Sequence, residues 1–293
     1  MSNESNNGHS QIDTAVASRR SPGKALITGA SSGIGAIYAD RLVRRGYDLI
    51  LVARNRERLA ALAARLANET GRAVEVIVAD LNNDTDLARV ERVLSTDDQI
   101  SVLVNNAGFG ATTPLVNSDI NKMTEMIGLN ITALVRLTHA LVPELLKRDG
   151  GTIINIASIV GIAPELLNGV YGATKAFVLA FSLSLHKELA AHNIRIQAVL
   201  PGATATEFWG IAGTSIEHLP SQIVMTADDL VDAALAGLDQ GELVTIPSLP
   251  DISEWNAYEN ARQRMIPNLS LSSPAARYGV PSRTHEQHYS SAL

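Results

Sequence analysis

Seven short runs of apolar and β-branched residues recur between Lys24 and Ile246, and longer stretches with helical spacing separate them. The runs are KALIT (24–28), DLILVA (48–53), AVEVIVA (73–79), ISVLVN (100–105), GTIINIA (151–157), IRIQAVL (194–200) and ELVTI (242–246). In RNRERLAALAARLANE (54–69), Leu59, Leu62 and Leu66 fall on one helical face. Consecutive parallel strands need long crossover connections, and helices fill them. The alternation predicts an α/β domain over residues 23–250, with a parallel sheet covered by helices on both faces. Several runs are apolar throughout, as expected of strands buried on both sides. Residues 1–22, polar and rich in Ser and Asn, read as a disordered leader. Residues 251–293 read as a C-terminal extension, in which EWNAYENARQRM (254–265) has the pattern of an amphipathic helix.

Charge and composition remove several chemistries. The net charge of −6 disfavours a phosphate-backbone partner, so no nucleic-acid binding is expected. The absence of cysteine excludes a disulfide scaffold, thiolate metal sites and a cysteine nucleophile. His285 and His288 form H-E-Q-H, which lacks the spacing of a zinc helix; they read as tail residues, and no metal is expected. The start of the chain lacks the apolar core of a signal peptide. No uninterrupted apolar run approaches the roughly 18 residues of a membrane span. The expectation is a cytoplasmic protein without a membrane partner.

The first strand leads into its helix through TGASSGIG (28–35), which places Gly29, Gly33 and Gly35 at the turn. Glycines there expose backbone N–H groups at the positive end of a helix, a ready site for a pyrophosphate. The spacing differs from G-x-G-x-x-G, and a plain glycine-rich turn would look the same. The same letters also fit G-x-S-x-G, which would make Ser31 the nucleophile of a serine hydrolase. That alternative needs a later acid and histidine and explains neither Gly35 nor Tyr171. At the end of the second strand, Ala53 stands where an acid would bind a ribose 2′-hydroxyl, and Arg54 follows it. A guanidinium without a competing carboxylate suits a 2′-phosphate, which favours NADP(H) over NAD(H). Arg56 and Arg58 read as a solvated helix face.

Five motifs now stand in order: TGASSGIG (28–35), NNAG (105–108), Ser158, YGATK (171–175) and PGATAT (201–206). In this the chain resembles the short-chain dehydrogenase/reductase family from residue 24 to about 250. The resemblance implies a Rossmann-like, doubly wound sheet of seven parallel strands and oxidation or reduction of an alcohol–carbonyl pair. It implies that Gly29, Ser31, Ser32, Gly33, Ile34 and Gly35 receive the cofactor, that Asp80 and Leu81 contact the adenine, and that Asn106, Ala107 and Gly108 line the groove. It also implies that Asn130 holds a water near a catalytic lysine, that Ser158 binds the substrate oxygen, and that Pro201, Gly202, Thr204 and Thr206 surround the nicotinamide. Thr204 departs from the valine usual in the family.

Tyr171 and Lys175, four residues apart, share one face of a helix. A nearby ammonium favours the phenolate and is expected to lower the pKa of the phenol, which is near 10 when free. A phenol tuned in this way exchanges a proton with a substrate oxygen, and Ser158 steadies the charge that develops there. The alternative of a different class is a nucleotide-binding regulatory protein that kept the fold without turnover. Phe208, Trp209 and Ile211, with Phe109 and Ile159, offer an apolar wall for an apolar or aromatic carbonyl substrate. VYGATKAFVLAFSL (170–183) is apolar on most faces and reads as a buried helix. The resemblance implies that it packs in a homodimer or homotetramer, with TALVRLTHALVPELL (132–146) beside it.

Overall fold

The computed structural model describes residues 22–280. The leader as far as residue 21, and the tail histidines His285 and His288, lie outside the described residues. The chain separates into two compact units, the first ending at Ser248 and the second starting at Leu249.

The first unit runs β1 (Lys24–Thr28), α1 (Gly33–Arg44), β2 (Asp48–Ala53), α2 (Arg56–Thr70), β3 (Val74–Val78), α3 (Asp84–Thr96) and β4 (Ile100–Asn105). It continues with α4 (Ile120–Ile127), α5 (Leu134–Arg148), β5 (Gly151–Ile156), α6 (Gly169–Glu188), β6 (Ile194–Val199), β7 (Ala203–Ala205), α7 (Phe208–Ala212), β8 (Val224–Thr226), α8 (Ala227–Asp239) and β9 (Val244–Thr245). Seven strands form one sheet in the order β3-β2-β1-β4-β5-β6-β9, and every pairing is parallel. The chain reverses its direction of travel across the sheet between β1 and β4. Loops leaving the C-terminal ends of those two strands diverge, which opens a crevice there.

Alternation along β1 supplies both cores. Ala25 and Ile27 join Tyr38, Leu42, Leu59 and Leu230 on one face. Leu26 joins Leu87, Leu94, Leu141 and Leu145 on the other. With helices on both sides, neither face of a central strand needs polar residues. Helix starts are capped by short polar side chains: Asn55 Oδ1 accepts from Arg58 N–H, and Asn83 Oδ1 from Thr85 and Asp86.

Three elements of the first unit differ from the sequence expectation. The strand read at 242–246 shrinks to Val244–Thr245. The Glu242 N–H is spent on Gly237 O at the end of α8, and its carboxylate accepts from the Thr245 hydroxyl, so the chain is still turning there. The helix read at 132–146 starts at Leu134 as α5, after a π-helical turn over Gly128–Ala133 that joins it to α4. By length and composition alone, the joined segment Ile120–Arg148 could cross a membrane. However, Leu137, Leu141 and Leu145 are fully packed in the core, so it is a core helix of this domain. Finally, α6 is not buried all round: Ala173, Phe177, Ala180 and Ser184 form an exposed stripe, and Phe177 stacks on Phe181.

In the second unit, Asp251 caps α9 (Ile252–Met265) through the Ser253 N–H. Trp255 is buried and stacks on Tyr258, with ring centroids 5.3 Å apart. Ile252, Tyr258 and Met265 are exposed, so the amphipathic pattern read at 254–265 reduces to Trp255.

Candidate active site

The crevice is a groove of about 1260 Å³, lined by the C-terminal ends of the central strands and the loops that follow them. At its centre, β1 turns through Gly29 (φ +66°) and Gly33 (φ +53°), a left-handed conformation that favours glycine. A side chain at Gly29 would strike the Asn106 amide and Ala107, because the loops after β1 and β4 interleave. Asn106 Nδ2 donates to the Thr28 and Gly29 carbonyls, while the Thr28 hydroxyl accepts from the Asn106 and Ala107 N–H groups. Ser32 precedes α1 without capping it through its side chain, so the first N–H groups of the helix remain available to an anion. Gly35 does not line the groove. It is buried where a Cβ would meet the Gly29 carbonyl, so its smallness serves the packing of helix on loop.

One end of the groove is bordered by Arg54, Asn55 and Arg58 on one side and by Asp80 and Leu81 on the other. Arg58, read as part of a solvated face, is exposed, and it also reaches Glu207 with Nη1 2.6 Å from Oε2 and lines the groove. Only the fold brings these residues together, 149 positions apart.

The other end holds Ser158, Tyr171 and Lys175, all buried and all on the lining. Asn168, three residues ahead of Tyr171, caps α6 by accepting from the Val170 and Tyr171 N–H groups. It also donates to the Thr113 carbonyl, which fixes the start of the helix against the loop after β4. A short polar residue before a helix is a capping signal that would have found it. Lys175 Nζ donates to the Ile156 carbonyl at 2.8 Å and lies 5.9 Å from the Tyr171 ring centroid. The expected lowering of the phenol pKa is overturned for the protein's own groups. Burial pushes Tyr171 up to about 12, and the Ser158 hydroxyl beside it pulls the other way more weakly. Burial brings the Lys175 ammonium down to about 8. Burial sets the direction for both groups, and the ammonium spends a hydrogen bond on a carbonyl.

Asn130 does not line the groove. Its amide donates to the Phe109 carbonyl and the Thr174 hydroxyl and accepts from the Phe109 N–H. The π-helical turn carries it, and its Oδ1 and Lys175 Nζ both border Gly108. The Thr204 hydroxyl is satisfied by the Gly202 carbonyl, so threonine fits where valine was expected. Pro201, Gly202 and Thr206 lie on the lining, as do Ala107, Gly108, Phe109, Ile159 and Ile34.

Phe208 covers the end that holds Ser158, Tyr171 and Lys175, with its ring centroid 5.6 Å from that of Tyr171 and in edge contact with Trp209. Trp209 is held by its indole N–H on the Thr204 carbonyl. Leu166, Leu167, Leu219 and Ile223 complete an apolar wall. Gly110, which the sequence did not single out, sits beneath Phe208 and Tyr171 where a side chain would strike the Phe208 ring and press on that of Tyr171. Among the described residues no histidine lines the groove, so the hydrolase alternative finds no histidine base for Ser31 there. The donor set suits an elongated dinucleotide: an open helix N-terminus at the centre, guanidinium groups at one end, and a phenol, hydroxyl and ammonium at the other.

A family model described as short chain dehydrogenase matches residues 23–214. A short-chain dehydrogenase from Sphingobium yanoikuyae, solved in complex with NADPH, is 50% identical with a TM-score of 0.85, over 87% of this chain and 99% of that one. The bulky-bulky ketone specific alcohol dehydrogenase from Comamonas testosteroni is 45% identical with a TM-score of 0.81, over 88% of this chain and 99% of that one. Human 17-beta-hydroxysteroid dehydrogenase type 3 is 33% identical, over 83% of this chain and 79% of its own length. With the parallel sheet, the glycine turn and the Ser158, Tyr171 and Lys175 group on one groove, the chain belongs to the short chain dehydrogenase family and is an oxidoreductase.

Proposed function

We propose that the groove takes NADP(H) in preference to NAD(H), and that the enzyme reduces a bulky, apolar ketone with Tyr171 as proton donor. The observation that carries this reading is the Tyr171 phenol, buried beside Ser158 and Lys175 and roofed by Phe208. When bound, the reduced nicotinamide supplies the hydride to the carbonyl carbon. Tyr171, protonated at neutral pH, gives its proton to the carbonyl oxygen as charge builds there. The Ser158 hydroxyl donates to the same oxygen and holds it in line. Lys175, tied to the Ile156 carbonyl, keeps positive charge next to the phenol and eases its loss of a proton.

Arg54 at the groove end, with no acid in place of Ala53, supports recognition of a 2′-phosphate. The wall of Leu166, Leu167, Leu219 and Ile223 supports a large apolar substrate, as does similarity to an enzyme named for bulky-bulky ketones. The exposed stripe on α6 supports assembly of copies into a homodimer or homotetramer.

The test pairs cofactor titration with turnover of ketones graded in size. Wild type is expected to bind NADPH more tightly than NADH, and Arg54→Ala to narrow the gap. Tyr171→Phe is expected to lose about a thousandfold in kcat with cofactor affinity kept. Equal binding of the two cofactors, or undiminished turnover by Tyr171→Phe, would overturn the reading.

A further inference from the structure

Arg58 and Glu207 face each other at the cofactor groove, and their surroundings give the pair a meaning beyond an ordinary surface contact. Arg58 stands four residues past Arg54, and the two line the groove with Asn55 between them. Glu207 comes from the far side. Its neighbour Thr206 packs on Gly33, where a Cβ would come within 3.2 Å of the threonine methyl. This holds the segment at the start of α1. The Glu207 carboxyl is kept below the usual range, first by Arg58 and further by the Ser32 hydroxyl. The carboxylate thus uses a guanidinium and a hydroxyl at the mouth of a helix N-terminus, groups that a phosphate also seeks.

Both partners are about half exposed, at 49% and 58%, so the pair is weak and readily exchanged. A phosphate dianion offers a guanidinium more charge and a matching geometry. A ribose hydroxyl offers neither, and would leave Arg58 on Glu207. We propose that Arg58 is a second determinant of 2′-phosphate preference and that Glu207 is its internal competitor. This rests on the reading that the groove takes NADP(H).

The experiment measures binding by calorimetry with adenosine 2′,5′-bisphosphate and adenosine 5′-monophosphate, for wild type, Glu207→Gln, Arg58→Met and the double variant. Arg58→Met is expected to weaken the bisphosphate by about tenfold and to leave the monophosphate nearly unchanged. Glu207→Gln is expected to tighten the bisphosphate by up to about fivefold, and the monophosphate less. The double variant should match Arg58→Met, because Glu207 acts through Arg58. An unchanged preference in Arg58→Met would overturn the inference. So would weaker bisphosphate binding in Glu207→Gln, which marks the pair as a clasp, or equal tightening of both probes. Wild type binding both probes equally would instead remove the NADP(H) reading itself, and this inference with it.

Discussion

Lys175 is a charged residue almost entirely withdrawn from water, with one carbonyl for company. Its pKa falls to about 8 because burial penalises the ammonium, while the unfolded chain keeps it near 10.5. Below about pH 8 both states carry the proton, and the folded state bears the full penalty. Between about pH 8 and 10.5 the unfolded state binds more protons than the folded one, so stability rises with pH across that window. Wild type is therefore expected to gain about 2 kcal/mol relative to Lys175→Met between about pH 7 and pH 9.5, as read from urea unfolding. A constant difference between the two proteins would show that the ammonium is not desolvated. Tyr171 moves in the opposite sense: its raised pKa makes its contribution full below about pH 10 and lost towards 12. The Lys175 ammonium is thus held against its solvation preference, a mark of functional sites more than of stability.

Among the elements, α7 depends on the absence of a side chain at Gly110. The Phe208 ring occupies that space and rests on Tyr171. Gly110 has no left-handed backbone, so alanine fits the chain but not the contact. Gly110→Ala is expected to push Phe208 off Tyr171 and raise KM for a large ketone several-fold, with NADPH affinity unchanged. Steady-state kinetics with a large and a small ketone checks this; equal effects on both would separate Phe208 from substrate fit. The strands and their order of chemistry were legible because apolar runs and glycine turns are local signals. So were Ser158, Tyr171 and Lys175, whose spacing along the chain carries the family likeness. Gly110, and the meeting of Arg58 with Glu207, were not legible. Their significance arises from residues 98 and 149 positions away that only the closed sheet brings near. The direction of the Tyr171 shift was misread because sequence reveals a neighbouring cation but not the depth at which both groups are buried.

At the scale of the molecule, the exposed stripe of Ala173, Phe177, Ala180 and Ser184 consists of small residues apart from one ring. Small residues allow close approach of a second helix, and Phe177 offers apolar area to cover. Phe177→Glu is expected to shift the protein to a smaller species in sedimentation while leaving the fold unchanged by circular dichroism. An unchanged sedimentation coefficient would place any assembly on another face. The parallel sheet has a further consequence. The groove lies along one rim, and at the opposite rim Lys24 bridges Glu75 and Asp97. That rim is a handle: an enzyme tethered to a support through it would present its groove to the solution and its silent side to the surface.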